Sequence, residues 1–140
     1  DAIIGTSHLY PHEIEALVDL AVSKGAKIMI THPYHFPREP FEWYKKLTDK
    51  GAYLEITAVT AFPMAIHQGR GITLEESKRL IELCGADKCV IASDAGQPFN
   101  PWPHEALRLY ATQLSNVGVE DADLKTMMID NPSRLLGLDF

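Results

Sequence analysis

The sequence predicts an α/β chain of parallel βα units, four strands with flanking helices, amounting to half of an eight-unit (β/α) barrel. Three observations predict it. Short apolar runs rich in β-branched residues recur at Ala2–Thr6, Lys27–Thr31, Ala52–Thr57 and Lys88–Ser93. A segment with helical apolar spacing follows each run or separates it from the next. Polar and ionisable residues gather where the runs end, the edge at which α/β folds place ligands. Parallel strands need long crossovers, which helices supply.

The first run leads through Ser7-His8 to a helix expected over Pro11–Lys24. Pro11 suits a first helical position, where its missing N–H is not needed. Ile14, Leu17, Val18, Ala21 and Val22 make one apolar stripe, and Gly25 is the expected stop. The second run precedes a helix over about Phe41–Lys50, ended by Gly51. After the third, Thr73-Leu74-Glu75-Glu76 reads as a capping box opening a helix that runs to about Cys84, before Gly85. The fourth run is followed by a helix over about Pro103–Asn116, another near Val119–Asp130, and a last turn through Ser133–Leu136. With no linker or low-complexity tract, residues 1–140 are expected to form a single domain.

Composition narrows the function classes. The 140 residues are 46% hydrophobic and 23% charged, as in a chain that buries a core. No apolar run reaches the ~18–20 residues of a membrane span, so no membrane partner is expected. Net charge is −6, and no Lys/Arg cluster is longer than Lys45–Lys46, which argues against nucleic acid. Cys84 and Cys89 form no CxxC, and a reducing, cytoplasmic setting is the expectation. The chain opens at Asp1 without Met, lacks the pattern of a signal peptide, and reads as part of a longer protein.

Four strand ends carry chemistry. They are Gly5-Thr6-Ser7-His8, Ile30-Thr31-His32-Pro33, the Glu55 and Thr57 of the third run, and Ala92-Ser93-Asp94-Ala95. Imidazole nitrogens and a carboxylate are ligands for Zn²⁺ and similar divalent ions, and a bound ion lowers the pKa of its water. A carboxylate beside that water can carry its proton. Strand alternation sorts the neighbours. If His8 points inward, so do Thr6 and Ile4; His32 goes with Ile30 and Ile28; Asp94 goes with Ala92 and Val90. On the third strand either Tyr53/Glu55/Thr57 or Leu54/Ile56 faces inward. The post-strand loops would wall a pocket for a small-molecule substrate, with Glu55, His35, Arg70 and Trp102 as candidate contacts. Arg38 and His67 lie in the same loops, His104 lies just past the last of them, and His12 reads as solvent-facing.

These pieces resemble the C-terminal half of an amidohydrolase-superfamily barrel. The matching residues are Gly5-Thr6-Ser7-His8-Leu9, Met29-Ile30-Thr31-His32-Pro33, Ile91-Ala92-Ser93-Asp94 and the tail Asp130-Asn131-Pro132-Ser133-Arg134-Leu135-Leu136-Gly137-Leu138. The resemblance covers nearly the whole chain, in order, and is nearest to that superfamily's uncharacterised, phosphotriesterase-like or metal-dependent hydrolase members. It implies a TIM-type (β/α)8 barrel in which these four strands are the fifth to the eighth. It also implies hydrolysis of an amide, ester or phosphoester by a metal-activated water. His8 would be the fifth-strand metal ligand and His32 the sixth-strand ligand or electrostatic partner. Asp94 would be the eighth-strand carboxylate that binds metal and handles protons. The implied cofactor is a divalent metal, Zn first, with Mn or Fe as alternatives. Glu55, on the seventh strand, inherits no family role.

The family's first-strand His-x-His pair has no counterpart here. The missing ligands would come from an N-terminal half-barrel or from a second copy in a homo-oligomer, and the isolated chain is expected to be inactive. Two other classes compete. One is a non-catalytic or dimer-forming half-barrel used for binding. The other is a receiver-like signalling domain phosphorylated on Asp94, against which Ser7-His8 stands where an acidic pair would hold Mg²⁺.

Overall fold

A computed structural model describes residues 2–33, 39–62 and 71–138. Four strands, β1 (Ile3–Gly5), β2 (Lys27–Ile30), β3 (Tyr53–Thr57) and β4 (Cys89–Ala92), form one sheet in the order β1-β2-β3-β4. Every pairing is parallel. The crossovers carry α1 (Pro11–Ser23), α2 (Phe41–Asp49) and α3 (Leu74–Cys84), and α4 (Pro103–Asn116) follows β4. Sequential order is the winding of half a (β/α)8 barrel. It differs from a doubly wound sheet, whose order reverses at a switch point. The receiver-like alternative therefore does not match this topology.

Register sorts the two faces of the sheet. Ile4 pairs with Ile28, Ile30 with Leu54, Leu54 with Cys89 and Ile56 with Ile91, and these residues pack with the helices. Val18, Leu47, Leu80, Ala106, Tyr110 and Leu114 meet them from the helix side. The opposite face carries Ile3, Lys27, Met29, Tyr53, Glu55 and Val90. Ile3, Met29, Tyr53 and Glu55 there are only half-buried. That resolves the alternative left open on the third strand: Tyr53, Glu55 and Thr57 share the inner face. It also corrects the expectation for the first two strands, since Ile4, Ile28 and Ile30 lie on the helix-covered face.

Helix starts follow the local chemistry. Thr73 Oγ1 accepts the Glu76 N–H at 3.1 Å and Glu76 Oε2 accepts the Thr73 N–H at 2.9 Å, the reciprocal cap expected from Thr-x-x-Glu. Tyr10 N–H donates to Glu13 at 2.8 Å and opens α1 ahead of Pro11. Between β3 and α3 a 3₁₀ turn, Ala58–Ala61, brings Thr60 against Gly71. A Cβ on Gly71 would lie 2.3 Å from the Thr60 carbonyl oxygen, so only glycine fits.

The tail departs from expectation. Instead of one helix and a separate last turn, α5 (Asp121–Lys125), a π turn (Thr126–Asp130) and α6 (Asn131–Leu136) run on continuously. Pro132 lacks an N–H, and its ring would crowd the carbonyl one α-turn earlier. The wider π turn directly before it accommodates both.

The tail motif then braces the sheet from below. Asn131, fully buried, donates through Nδ2 to the carbonyls of Ala86 (2.8 Å) and Cys89 (2.6 Å) and accepts from Arg134 at 3.1 Å. Lys27 Nζ donates to the Leu135 carbonyl at 2.7 Å, placing a cation at the C-terminal end of α6. One short helix thus ties the start of β4 to the start of β2.

Asn131→Ala leaves two buried carbonyls without their donor. A loss of about 2–3 kcal/mol in urea unfolding is expected, and a loss under about 0.5 kcal/mol would contradict the brace. Tyr110, buried, donates to Ser77 Oγ at 2.9 Å. Burial pushes its phenol up from 10.0 to about 12, against the opposing effect of the Ser77 bond. The folded state therefore holds this proton more tightly than the unfolded chain does. Its contribution is complete below about pH 10 and is lost as pH rises toward 12. Stability of the Tyr110→Phe variant should fall less than wild type between about pH 8 and about pH 11. Equal alkaline losses in both proteins would refute this assignment.

Candidate functional site

The site grows from how β1 and β2 stop pairing. Thr6 N–H still donates to the Met29 carbonyl at 3.0 Å. Beyond that, side chains replace backbone partners. Thr6 Oγ1 accepts the Thr31 N–H at 3.0 Å, and Thr31 Oγ1 accepts the Ser7 N–H at 3.1 Å. This reciprocal latch keeps the two chains side by side while freeing their backbones from strand geometry. Ser7 then takes φ 51° and His32 φ 23°, in the left-handed region that L-residues avoid. Such conformations each cost about 1–3 kcal/mol and persist only where the surroundings enforce them. Asp94, two residues past β4, is at φ 50°. Among the described residues these three are the non-glycine positions with positive φ, and all lie just beyond strand ends.

The turn at His32 explains why simple alternation fails there. Its parity matches Ile28 and Ile30, which face the helices, yet its ring meets His8. The two Nε2 atoms are 3.0 Å apart, with ring centroids at 4.8 Å. The offset of 24 between these histidines equals that between Ile4 and Ile28, so the strand register continues across the latch. His8 is exposed and His32 half-buried.

Glu55 stands on the inner face of β3, half-buried, with Val90 as its β4 partner. Burial pushes its carboxyl above the usual carboxylate range. The His32 backbone and the His32 ring act in the opposite direction, while the nearby Asp94 charge adds to the rise. Thr57, next on the same face, is buried, and its hydroxyl has no hydrogen-bond partner among the described residues. The loop after β4 is ordered from within. Gln97 Nε2 donates to the Asp94 carbonyl at 3.0 Å, and Asn100 donates to Gln97. On that loop Phe99 and Trp102 are 86% and 77% exposed.

The sequence-derived candidates therefore divide. His8 and His32 come into contact. Glu55 lies within electrostatic range of both His32 and Asp94. Asp94 is exposed at its strand end, and among the described residues no three His, Cys, Asp or Glu side chains form a group able to hold a metal. Trp102 occupies the position just before α4, where its backbone carbonyl accepts the Ala106 N–H at 2.8 Å. His35 and Arg70, like Arg38 and His67, lie outside the described residues. His12 stacks on Tyr10, and His104 lies 3.8 Å from Glu105. The residues that sequence reasoning passed over are Thr6, Thr31 and Ser7. Their signal was a threonine ending each of the first two strands just before the histidine.

Residues 1–55 match a family of unknown function (DUF6282). No curated protein sequence matches the chain. Among solved structures, the chain is similar to ATU3138 of Agrobacterium tumefaciens in its apo form. That match has a TM-score of 0.61 and 11% identity, and covers 98% of this chain and 50% of the other. It is also similar to the N-acetyl-D-glucosamine-6-phosphate deacetylase of Mycobacterium smegmatis, with a TM-score of 0.51 and 12% identity, covering 97% of this chain and 45% of the enzyme. At these identities the likeness is one of fold, a half barrel of TIM type. The chain spans about half the length of the solved structures it matches.

Thr6→Val and Thr31→Val each remove one acceptor of the latch while keeping shape. Each should lower stability by about 1–2 kcal/mol, and the double variant by less than the sum, because the two bonds share one turn. Full additivity in denaturant unfolding would show that the latch is not cooperative.

Proposed function

We propose that the chain is the C-terminal half of a metal-dependent hydrolase barrel of amidohydrolase type, in which His8 and His32 bind a divalent metal. The observation that carries this reading is the 3.0 Å approach of their Nε2 atoms at neighbouring strand ends. Two nitrogens each about 2.0–2.1 Å from one Zn²⁺ in tetrahedral geometry lie roughly 3.3 Å apart, so the pair suits two adjacent ligand positions. The remaining ligands would come from outside the described residues. A divalent ion there, with Zn first and Mn or Fe as alternatives, would polarise a scissile amide, ester or phosphoester and acidify a water.

The chain's own residues divide the remaining work. In this reading Asp94, exposed two residues past β4, would take and return a proton. Trp102, with the loop that orders around Gln97, would wall the substrate side, and His35 and Arg70 belong to the same proposal.

The partner surface supports the same reading. In the described sheet β1 and β4 each pair on one side only, and the inner face holds half-buried Ile3, Met29 and Tyr53. A further four βα units, in an N-terminal half-barrel or a second copy, would cover them. Among the described residues no helix is long and apolar enough to cross a membrane. Both cysteines are buried and free, which favours a reducing compartment such as the cytoplasm.

The test is zinc titration of the whole protein by calorimetry. His8→Ala and His32→Ala should each weaken binding by more than the ~10–100-fold typical of losing an outer-shell partner, with hydrolytic turnover falling in parallel. Unchanged zinc affinity in both folded variants would remove this function.

A further inference from the structure

We infer that Phe99 and Trp102, on the loop after β4, form an aromatic edge that binds a ring-bearing, non-anionic group of the substrate beside Asp94. The role rests on the reading of these strand ends as a hydrolase site; binding of the ring itself needs no metal.

Phe99 and Trp102, at 86% and 77%, are the most exposed large hydrophobic side chains among the described residues. Single exposed apolar residues are ordinary on a protein surface. These two, however, stand three residues apart on the loop that also carries Asp94. Burial of an aromatic side chain is strongly favourable, so the loop must hold both rings out.

Hydrogen bonds and prolines do so. Asn100 N–H donates to the Gln97 carbonyl at 3.0 Å and closes a turn over residues 97–100. Pro98 sets its second position, and Phe99 takes the third. Phe99 is not among the residues with positive φ, so the turn is of type I with Phe99 at its tip. The half-buried Gln97 side chain fastens this turn to the strand end. Its Nε2 donates to the Asp94 carbonyl at 3.0 Å. Its Oε1 accepts the Gly96 N–H at 3.2 Å and the Asn100 side-chain amide. Trp102 stands between Pro101 and Pro103, and a residue before proline is kept extended; its φ is −54° and its ψ 146°. Behind it α4 packs on the 3₁₀ turn that follows β3.

The rings are thus offered on a preset frame, which lowers the entropic cost of binding. The Gln97 amide that fixes the Phe99 turn also holds the backbone of Asp94, itself at φ 50°. A group settled on the rings is therefore registered to Asp94, and this link assigns the rings to substrate. Aromatic faces take planar or aliphatic rings, while the exposed Asp94 side chain disfavours an anion beside them.

The experiment is nitrogen-15 NMR on the whole, zinc-free protein with two probes that share an amide. N-benzylacetamide carries a ring and N-methylacetamide does not. The benzyl probe should shift the Trp102 indole N–H and the Phe99 and Asn100 amides along saturating curves. The Trp43 indole, which donates to Glu15 at 2.6 Å, should stay in place. At the same concentration the methyl probe should move none of them. Phe99→Ala should weaken the benzyl probe roughly three- to tenfold, as for one lost aromatic contact. Gln97→Ala removes no ring atom and should also weaken it, roughly threefold or more, because the frame is lost. An unmoved Trp43 indole reports an intact fold in both variants. Equal wild-type responses to the two probes overturn the inference whether or not the variants fold, as does unchanged affinity in a folded Phe99→Ala. Trp102 signals that move with protein concentration alone would also overturn it, by giving the rings to a second copy. Ring binding in a protein that binds no zinc would uphold the aromatic edge and reject the metal site. Zinc binding without a ring response would do the reverse.

Discussion

The site depends on the exchange of backbone for side-chain hydrogen bonds where β1 and β2 end. A parallel ladder enforces extended backbone, and extended backbone would send His32 toward the helices with Ile28 and Ile30. Thr6 and Thr31 supply the two bonds that let the chain leave that geometry without leaving backbone donors unpaired. The left-handed Ser7 and His32 follow, and with them the imidazole contact. Rigid strands beneath and a local, enforced turn above are the usual way to hold two side chains to a fraction of an ångström.

The rest of the molecule keeps those strands rigid. The helix-side face is closed by a continuous apolar core. From below, Asn131 and Lys27 tie α6 to the starts of β4 and β2. The Asn-Pro-x-Arg-Leu-Leu-Gly-Leu tail is therefore a brace, at the end of the sheet opposite the histidines. The π turn ahead of Pro132 lets the brace run on from α5.

Much of this was legible in the sequence because hydrophobic periodicity and strand spacing are strong signals. Pro11, the Thr73–Glu76 cap and the glycine stops bounded the helices, and the spacing of the first two strands set His8 level with His32. What sequence could not supply has physical reasons. Threonine in a strand reads as an ordinary β-former, so the latch roles of Thr6 and Thr31 were hidden. Alternation assumes extended backbone, and it misassigned Ile4, Ile28 and Ile30 because the chain turns at Ser7 and His32. The inner placement of Glu55 needed pairing partners, which only register reveals. Pro132 reads as a helix break because the compensating π turn has no simple composition signature.

The half-barrel form has a consequence for energetics. Ile3, Met29 and Tyr53 leave apolar surface on the inner face, and each outer strand keeps one unpaired edge. Covering this face would add burial worth about 25 cal/mol per Å² and would bring further strand ends to the histidines. Crystallography of the whole protein, grown with and without zinc, tests the central claim most directly. The account predicts His8 and His32 Nε2 atoms near 3.0 Å in the zinc-free crystal and roughly 3.3 Å apart in the loaded one, with the Thr6–Thr31 bonds intact in both. Zinc-free rings beyond hydrogen-bond reach of about 3.5 Å, with the latch still formed, would contradict it.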